Sequence, residues 1–128
     1  MSAAPRDRSV PCSVTDARNR LVDARAFLEV AEVSDNTDVI ATNAAIAAAD
    51  ALCCLSLGKR SSSPNHAHAV ELIQPLDAAL VGSLRRCLDL KTKVAYESRD
   101  LSAKDAATTV RHAVHLIDAA EAALLASG

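Results

Sequence analysis

The segment from Asp38 to Leu57 restricts the fold more than any other part of the chain, because it is apolar on nearly every side. Ala, which dominates the segment, is the best helix former, and a helix that is apolar all round has to be buried among other elements. The sequence therefore predicts a central, buried helix surrounded by other helices. Its apolar residues include Ile40, Ala44, Ala45, Ile46, Ala47, Ala48, Ala49, Leu52, Cys53, Cys54 and Leu55.

Four further helices are predicted around this segment, at residues 14–33, 64–75, 77–98 and 102–124. In the three long segments, apolar residues recur at steps of three and four, and the short one lies between two prolines. The prediction is an all-α bundle of four or five helices forming one domain, residues 13–128. Residues 1–12 have no apolar repeat and are predicted to be a flexible tail.

The charge and cysteine content exclude some classes of protein. A formal net charge of -2 does not fit a strongly basic nucleic-acid binder, so any charged site has to be local. The four cysteines have no paired spacing, and three lie in apolar helical stretches where a reduced thiol is a small hydrophobe. No uninterrupted apolar run reaches the roughly 18 residues of a membrane span. The sequence therefore predicts a cytoplasmic protein with reduced thiols and no membrane contact.

Asp50 is the charge that interrupts the central helix, and a buried carboxylate without a partner is costly. Lys91 interrupts the apolar stripe of the fourth predicted helix in the same way, so we expect the two side chains to pair. Two interpretations remain open. The pair is either a structural ion pair or part of a functional cleft, where perturbed charges tend to gather.

Basic residues near the middle of the chain form a candidate phosphate-binding patch, provided that the loop after the central helix folds towards the fourth helix. A solvated loop and a charged helix face explain the same residues without a ligand. The predicted nucleic-acid contacts are Lys59, Arg60, Arg85, Arg86 and Lys93, with Lys91 beside them.

The histidines and glycines indicate no known enzyme class. His112 and His115 have an i, i+3 spacing that can bind a metal, with Asp118 a further three residues along. They fall on the polar side of the last predicted helix, where histidine is ordinarily solvated, and no Cys has a matching position. The chain also has no Gly-rich phosphate loop and no nucleophile elbow. The prediction is therefore no metal and no cofactor.

Two stretches resemble the HEPN superfamily of prokaryotic helical domains. They are "NAAIAAADALCCLSLGKRSSSPNHAHAVELI" from Asn43 to Ile73 and "LRRCLDLKTKVAYESRDLSAKDAATTVRHAVHLIDAAEAAL" from Leu84 to Leu124. The resemblance implies a bundle that dimerises so that matching helices line a cleft. Active members carry Arg and His a few residues apart on the helix that here reads Lys91 to Tyr96, where both are missing. Arg60 and His66 have the right separation, but they flank a serine-rich loop.

The resemblance implies a homodimeric module of a toxin–antitoxin or defence system. It would bind RNA or a nucleotidyltransferase-type or antitoxin partner, with ribonuclease activity weak or absent. Any catalysis is assigned to Asp50, His66, Lys91 and Tyr96. An acid or base would have to come from His66 or Asp50, Lys91 would bind phosphate, and Tyr96 matches the closing Tyr that accepts nucleotides in partner-regulated members. Two alternatives are a non-catalytic helical domain that docks another protein and, third, a metal-dependent enzyme built on the histidines.

Overall fold

The computed structural model describes residues 9–62, 66–97 and 103–127, with side chains described at 9–62, 66–89 and 104–127. Within these ranges the protein has five helices and a two-stranded sheet, which confirms the all-α prediction. The elements are β1 (Ser9–Pro11), α1 (Val14–Glu32), α2 (Thr37–Leu57), β2 (Lys59–Ser61), α3 (Ala67–Ile73), α4 (Ala78–Glu97) and α5 (Ala103–Ala126).

The helix α2 is the centre of the bundle, as its composition predicts. It contacts each of the other four helices and β2. Because Ala side chains are short, the neighbouring helices approach α2 closely from several sides, and long side chains such as Leu21, Leu84 and Leu116 fill the space between them. The alanines of α2 with no exposed surface are Ala41, Ala44, Ala45, Ala47, Ala48, Ala49 and Ala51.

The composition of α2 also matches that of a membrane span. Among the described residues it is the one helix long and apolar enough to cross a bilayer, with a mean hydropathy of 1.7. In the bundle, 72% of that apolar window is buried against other parts of the chain. Burial inside the protein therefore accounts for its hydropathy.

Local signals fix both ends of the α1–α2 pair. Ser13 caps α1 in a reciprocal capping box: its hydroxyl accepts from the Asp16 backbone N–H at 3.1 Å, and its own N–H donates to the Asp16 carboxylate at 2.8 Å. The contact with the Ser13 backbone lowers the pKa of Asp16. At the other end, α2 stops at Gly58, whose φ of 68° is left-handed and whose N–H donates to the carbonyl of Cys54 at 3.1 Å.

A short two-stranded sheet joins the residues before α1 to those after α2, and the sequence did not predict it. β1 and β2 pair antiparallel, with Val10 opposite Arg60, and the N–H of Cys12 donates to the carbonyl of Gly58 at 3.0 Å. Residues 9–12 of the predicted flexible tail and the first part of the predicted flexible loop are therefore ordered. Neither strand has an alternating apolar pattern, so their pairing depends on contacts between distant parts of the chain.

A disulfide joins Cys12 to Cys54 and attaches the end of β1 to the last turn of α2. The prediction of four reduced thiols is therefore wrong for these two cysteines, because residues 42 positions apart are brought to a Cα separation of 5.3 Å by the fold. The argument for a reducing compartment loses its basis. Cys53 and Cys87 are free and buried, and burial raises the pKa of each thiol to about 12. These two behave as small hydrophobes.

A charged cleft as the candidate functional site

A cleft of about 300 Å³ opens between α1, α2, β2 and the residues around the start of α3. We call it the charged cleft. It is lined by Arg20, Ile46, Asp50, Arg60, Ser61, Ser62, His66 and Ala69.

Asp50 of α2 and Arg20 of α1 form an ion pair at one wall of the charged cleft. Nη2 of Arg20 donates to Oδ2 of Asp50 at 3.0 Å, and Nη1 of Arg20 donates to Oδ2 of Asp23 at 3.3 Å. The side chain of Asp50 is 10% exposed and that of Arg20 is 30% exposed. Nε of Arg20 is buried and has no hydrogen-bond partner among the described residues. The guanidinium group is thus held by two carboxylates but is not fully satisfied.

Burial raises the pKa of Asp50, and its positive neighbours only partly offset this effect. The opposing contributions come from the hydrogen bond and charge of Arg20, followed by the charges of Arg60 and His66. A carboxyl group held in this way can carry a proton closer to neutral pH than an exposed one does. Such groups occur often at functional sites.

The strand β2 supplies another part of the lining. Arg60 lies in β2, with a long contact of 3.4 Å from Nη1 to the carbonyl of Ser61, and its charge also lowers the pKa of Asp16. Ser61 Oγ lies 3.1 Å from Nδ1 of the buried His68 in α3. The disulfide and the sheet hydrogen bonds hold β2 against the end of α2. They therefore also fix the positions of Arg60 and Ser61 in the cleft.

Three of the predicted site residues, Asp50, Arg60 and His66, converge on the charged cleft. Lys59 lies in the same strand as Arg60 but is not among the lining residues. The side chains of Lys91, Lys93 and Tyr96 fall outside those that the structure describes, so the predicted contact between Asp50 and Lys91 stays a prediction. The described partner of Asp50 is Arg20.

Arg20, Ser61 and Ser62 line the cleft but were not among the predicted site residues. Arg20 belongs to the regular polar face of α1, and its position next to the buried Leu21 was the one available signal that it could reach the interior. The two serines belong to the serine-rich stretch after the central helix, which the sequence predicts to be a flexible loop.

A second polar cluster connects α4 and α5. The buried hydroxyl of Ser83 lies 2.8 Å from Nδ1 of His115 and 3.1 Å from Nδ1 of His112. One hydroxyl has a single proton, so it donates to at most one ring, and at least one imidazole must donate to it. Burial and the charges of Arg111 and Arg86 lower the pKa of His112. Cationic neighbours oppose a metal ion at this position.

The described residues contain no group of three or more His, Cys, Asp or Glu side chains arranged to hold a metal ion. Arg85 and Arg86 are exposed on α4 and do not line the charged cleft.

The chemistry of the charged cleft favours an anionic ligand. Arg20 and Arg60 supply positive charge and hydrogen-bond donors, His66 adds ring nitrogens, and Asp50 supplies one negative charge. Guanidinium groups bind the oxygens of phosphate groups in a planar, two-pronged geometry, and serine hydroxyls add further donors. The fold and site thus define a small helical bundle with a charged cleft. Comparisons with protein-family models, curated proteins and solved structures give no match.

Proposed function

We propose that this chain is an HEPN-like, homodimeric helical module that binds RNA through the charged cleft, with ribonuclease activity weak or absent. The observation that carries the proposal is the convergence of Arg20, Arg60 and His66 on one cleft. Two arginines and a histidine thus line one cleft, with Asp50 as its carboxylate. RNA phosphates supply the complementary charge.

The types of residue in the cleft fit single-stranded RNA better than a folded duplex. Proteins recognise unpaired nucleotides by contacts to phosphate and by stacking bases on flat groups, which include the guanidinium plane of arginine. Arg60 in β2 supplies such a plane, and Ile46 and Ala69 add apolar surface to the lining. A cleft of about 300 Å³ lies at the small end of ligand pockets, so it holds a limited part of an RNA chain.

Weak or absent catalysis is proposed for a specific reason. Cleavage of RNA by acid–base catalysis needs two groups that exchange protons with the ribose hydroxyl and the leaving oxygen. Asp50 and His66 are the titratable groups of the cleft, but one carboxylate oxygen of Asp50 is already bound to Arg20. That oxygen is not open to the proton of a ribose hydroxyl while Arg20 holds it.

A fluorescence anisotropy titration with a labelled, single-stranded RNA tests the proposal. Replacing Arg60 with Gln should weaken binding about tenfold and reduce its dependence on salt, because a charged phosphate contact is lost. The matched control is Arg18→Gln, which removes the same charge from an exposed position of α1 outside the cleft. Equal affinities for the two variants would rule out RNA binding at this site.

A second candidate function, docking of a protein partner, is favoured by one side of α1. Val22, Val30 and Val33 are 57%, 52% and 87% exposed, and Phe27 lies next to them on the helix surface.

In the proposed dimer this apolar side of α1 packs against a second copy of the chain. Light scattering at micromolar concentration should give the mass of a dimer, and Val30→Glu should give the monomer. A monomer mass for the unaltered protein would instead favour docking of another protein.

A further inference from the structure

We propose that the charged cleft selects a terminal phosphate group of RNA over an internal one, and that Asp50 is the residue that sets this selectivity. The inference rests on the proposed function and names the chemical group that the cleft recognises. Without RNA, Asp50 accepts a hydrogen bond from Arg20. When RNA binds, its terminal phosphate replaces Asp50 as the partner of Arg20, and Asp50 carries a proton.

A ligand that binds Arg20 has to replace the contact between Arg20 and Asp50. Nη2 of Arg20 points to Asp50 at 3.0 Å, so the carboxylate already stands where an oxygen of an anionic ligand would bind. A phosphate that approaches Arg20 meets this negative charge at close range. Two like charges at such a distance strongly disfavour each other, and the cheapest relief is for one of them to take up a proton.

Asp50 is the group that takes up a proton when the phosphate binds. The charged and titratable groups facing it are Arg20 from α1, Arg60 from β2, His66 ahead of α3 and Cys53 on its own helix. The thiol of Cys53 stays neutral, with a pKa raised to about 12. Burial has already raised the pKa of Asp50, and a bound anion raises it further. Protonated Asp50 then donates a short hydrogen bond to a phosphate oxygen.

The charge balance separates terminal from internal phosphates. An internal phosphodiester carries a single charge, so replacing Asp50 on Arg20 exchanges one monoanion for another and gains little. A terminal phosphate carries about −1.5 to −2 charges at neutral pH and has three acceptor oxygens. It can hold Arg20 and Arg60 together and also accept from Asp50. Binding takes up one proton at Asp50, and no covalent bond changes.

The cleft volume fits the end of an RNA chain better than an RNA chain that continues through the cleft. About 300 Å³ is close to the lower limit of ligand pockets and has room for one phosphate with part of its nucleotide. The walls come from α1, α2, β2 and the residues around the start of α3, so the two arginines of the lining come from different elements.

The test compares three forms of one short single-stranded RNA: with a 5′-phosphate, with a 3′-phosphate and with neither. Anisotropy competition should show that one phosphorylated form binds about tenfold more tightly than the unphosphorylated form. Asp50→Asn keeps a hydrogen-bond donor without the charge, so it should tighten binding of the unphosphorylated RNA and shrink the preference. Asp23→Asn is the matched control, because Asp23 also contacts Arg20 but does not line the cleft.

Proton uptake gives a second, independent readout. Calorimetric titrations in buffers of different ionisation enthalpy should show more proton uptake for the unaltered protein than for Asp50→Asn, with the Asp23→Asn value unchanged. Circular dichroism melting establishes that each variant is folded.

The outcomes separate this inference from the proposed function. RNA binding that depends on Arg60 but shows no phosphate preference, or an unchanged preference and proton uptake in Asp50→Asn, overturns the role of Asp50 and leaves RNA binding intact. Nucleoside monophosphates are tested in parallel. Binding of these alone, weakened by Arg60→Gln, overturns RNA as the ligand but retains the terminal phosphate. Absence of binding for every probe overturns both.

Discussion

A single guanidinium group stabilises the carboxylate that interrupts the central helix. Asp50 could be identified from the sequence, because a charge among alanines has to be satisfied somehow. Its partner could not, because Arg20 has the spacing of an ordinary surface arginine and only the crossing of α1 and α2 brings it to Asp50. A single sequence carries no signal for which of fourteen basic residues completes such a pair.

Replacing Arg20 with Met should lower the free energy of unfolding by about 1–3 kcal/mol at about pH 7, because Asp50 is left buried without its cation. The value lies below that of a fully buried pair, since the Arg20 side chain is 30% exposed. Urea denaturation measures the loss. Arg18→Met, at an exposed position of the same helix, should change the stability by no more than about 0.5 kcal/mol.

The same variant should depend on pH in a defined direction. Without Arg20, the pKa of Asp50 rises further above its value of 3.8 in the unfolded chain. The folded protein then holds a proton that the unfolded chain releases, so stability falls as the pH rises between these two pKa values. We therefore expect a smaller loss at about pH 4 than at about pH 7. A loss of equal size at both pH values would show that Asp50 is not the group affected.

Among the secondary-structure elements, the helices could be predicted and the sheet could not. The periodic spacing of apolar residues indicates α1, α4 and α5, and each lies within a few residues of its predicted bounds. The strands β1 and β2 have three residues each, too few for an alternating pattern to be recognisable. Their pairing is supported by the hydrogen bond from the N–H of Cys12 to the carbonyl of Gly58 and by the disulfide, which join residues distant in the chain.

Two glycines on neighbouring elements should respond to alanine with opposite signs. Gly58→Ala should lower the free energy of unfolding by about 1 kcal/mol, because φ at this position is 68° and a Cβ disfavours the left-handed region. Gly82 lies inside α4, so Gly82→Ala should raise the free energy of unfolding by about 0.5–1 kcal/mol, because alanine has the higher helix propensity. Neither new methyl group meets an atom within 4 Å, so packing does not obscure the comparison. Shifts of the same sign in thermal melts would contradict the assignment of the α2 terminus.

At the scale of the whole molecule, the Cys12–Cys54 bond closes a loop that contains α1 and most of α2. For a sequence separation of 42, the lost freedom of the unfolded chain corresponds to about 4 kcal/mol of stability. Denaturation with and without a reductant should show a destabilisation of this order. The double variant Cys12→Ser/Cys54→Ala should be insensitive to the reductant, and an unchanged midpoint on reduction of the unaltered protein would contradict the bond.

The cross-link also determines how the molecule carries mechanical load. A pull on the N-terminal end of the chain reaches Cys12 and passes through the two sulfur atoms directly to the last turn of α2. The helix α1 lies off the loaded path, so it is not peeled from the bundle by force applied at this end. In a single-molecule stretching experiment the closed loop of 42 residues would not extend, and the fully pulled chain would be shorter by roughly 140 Å until the bond is reduced.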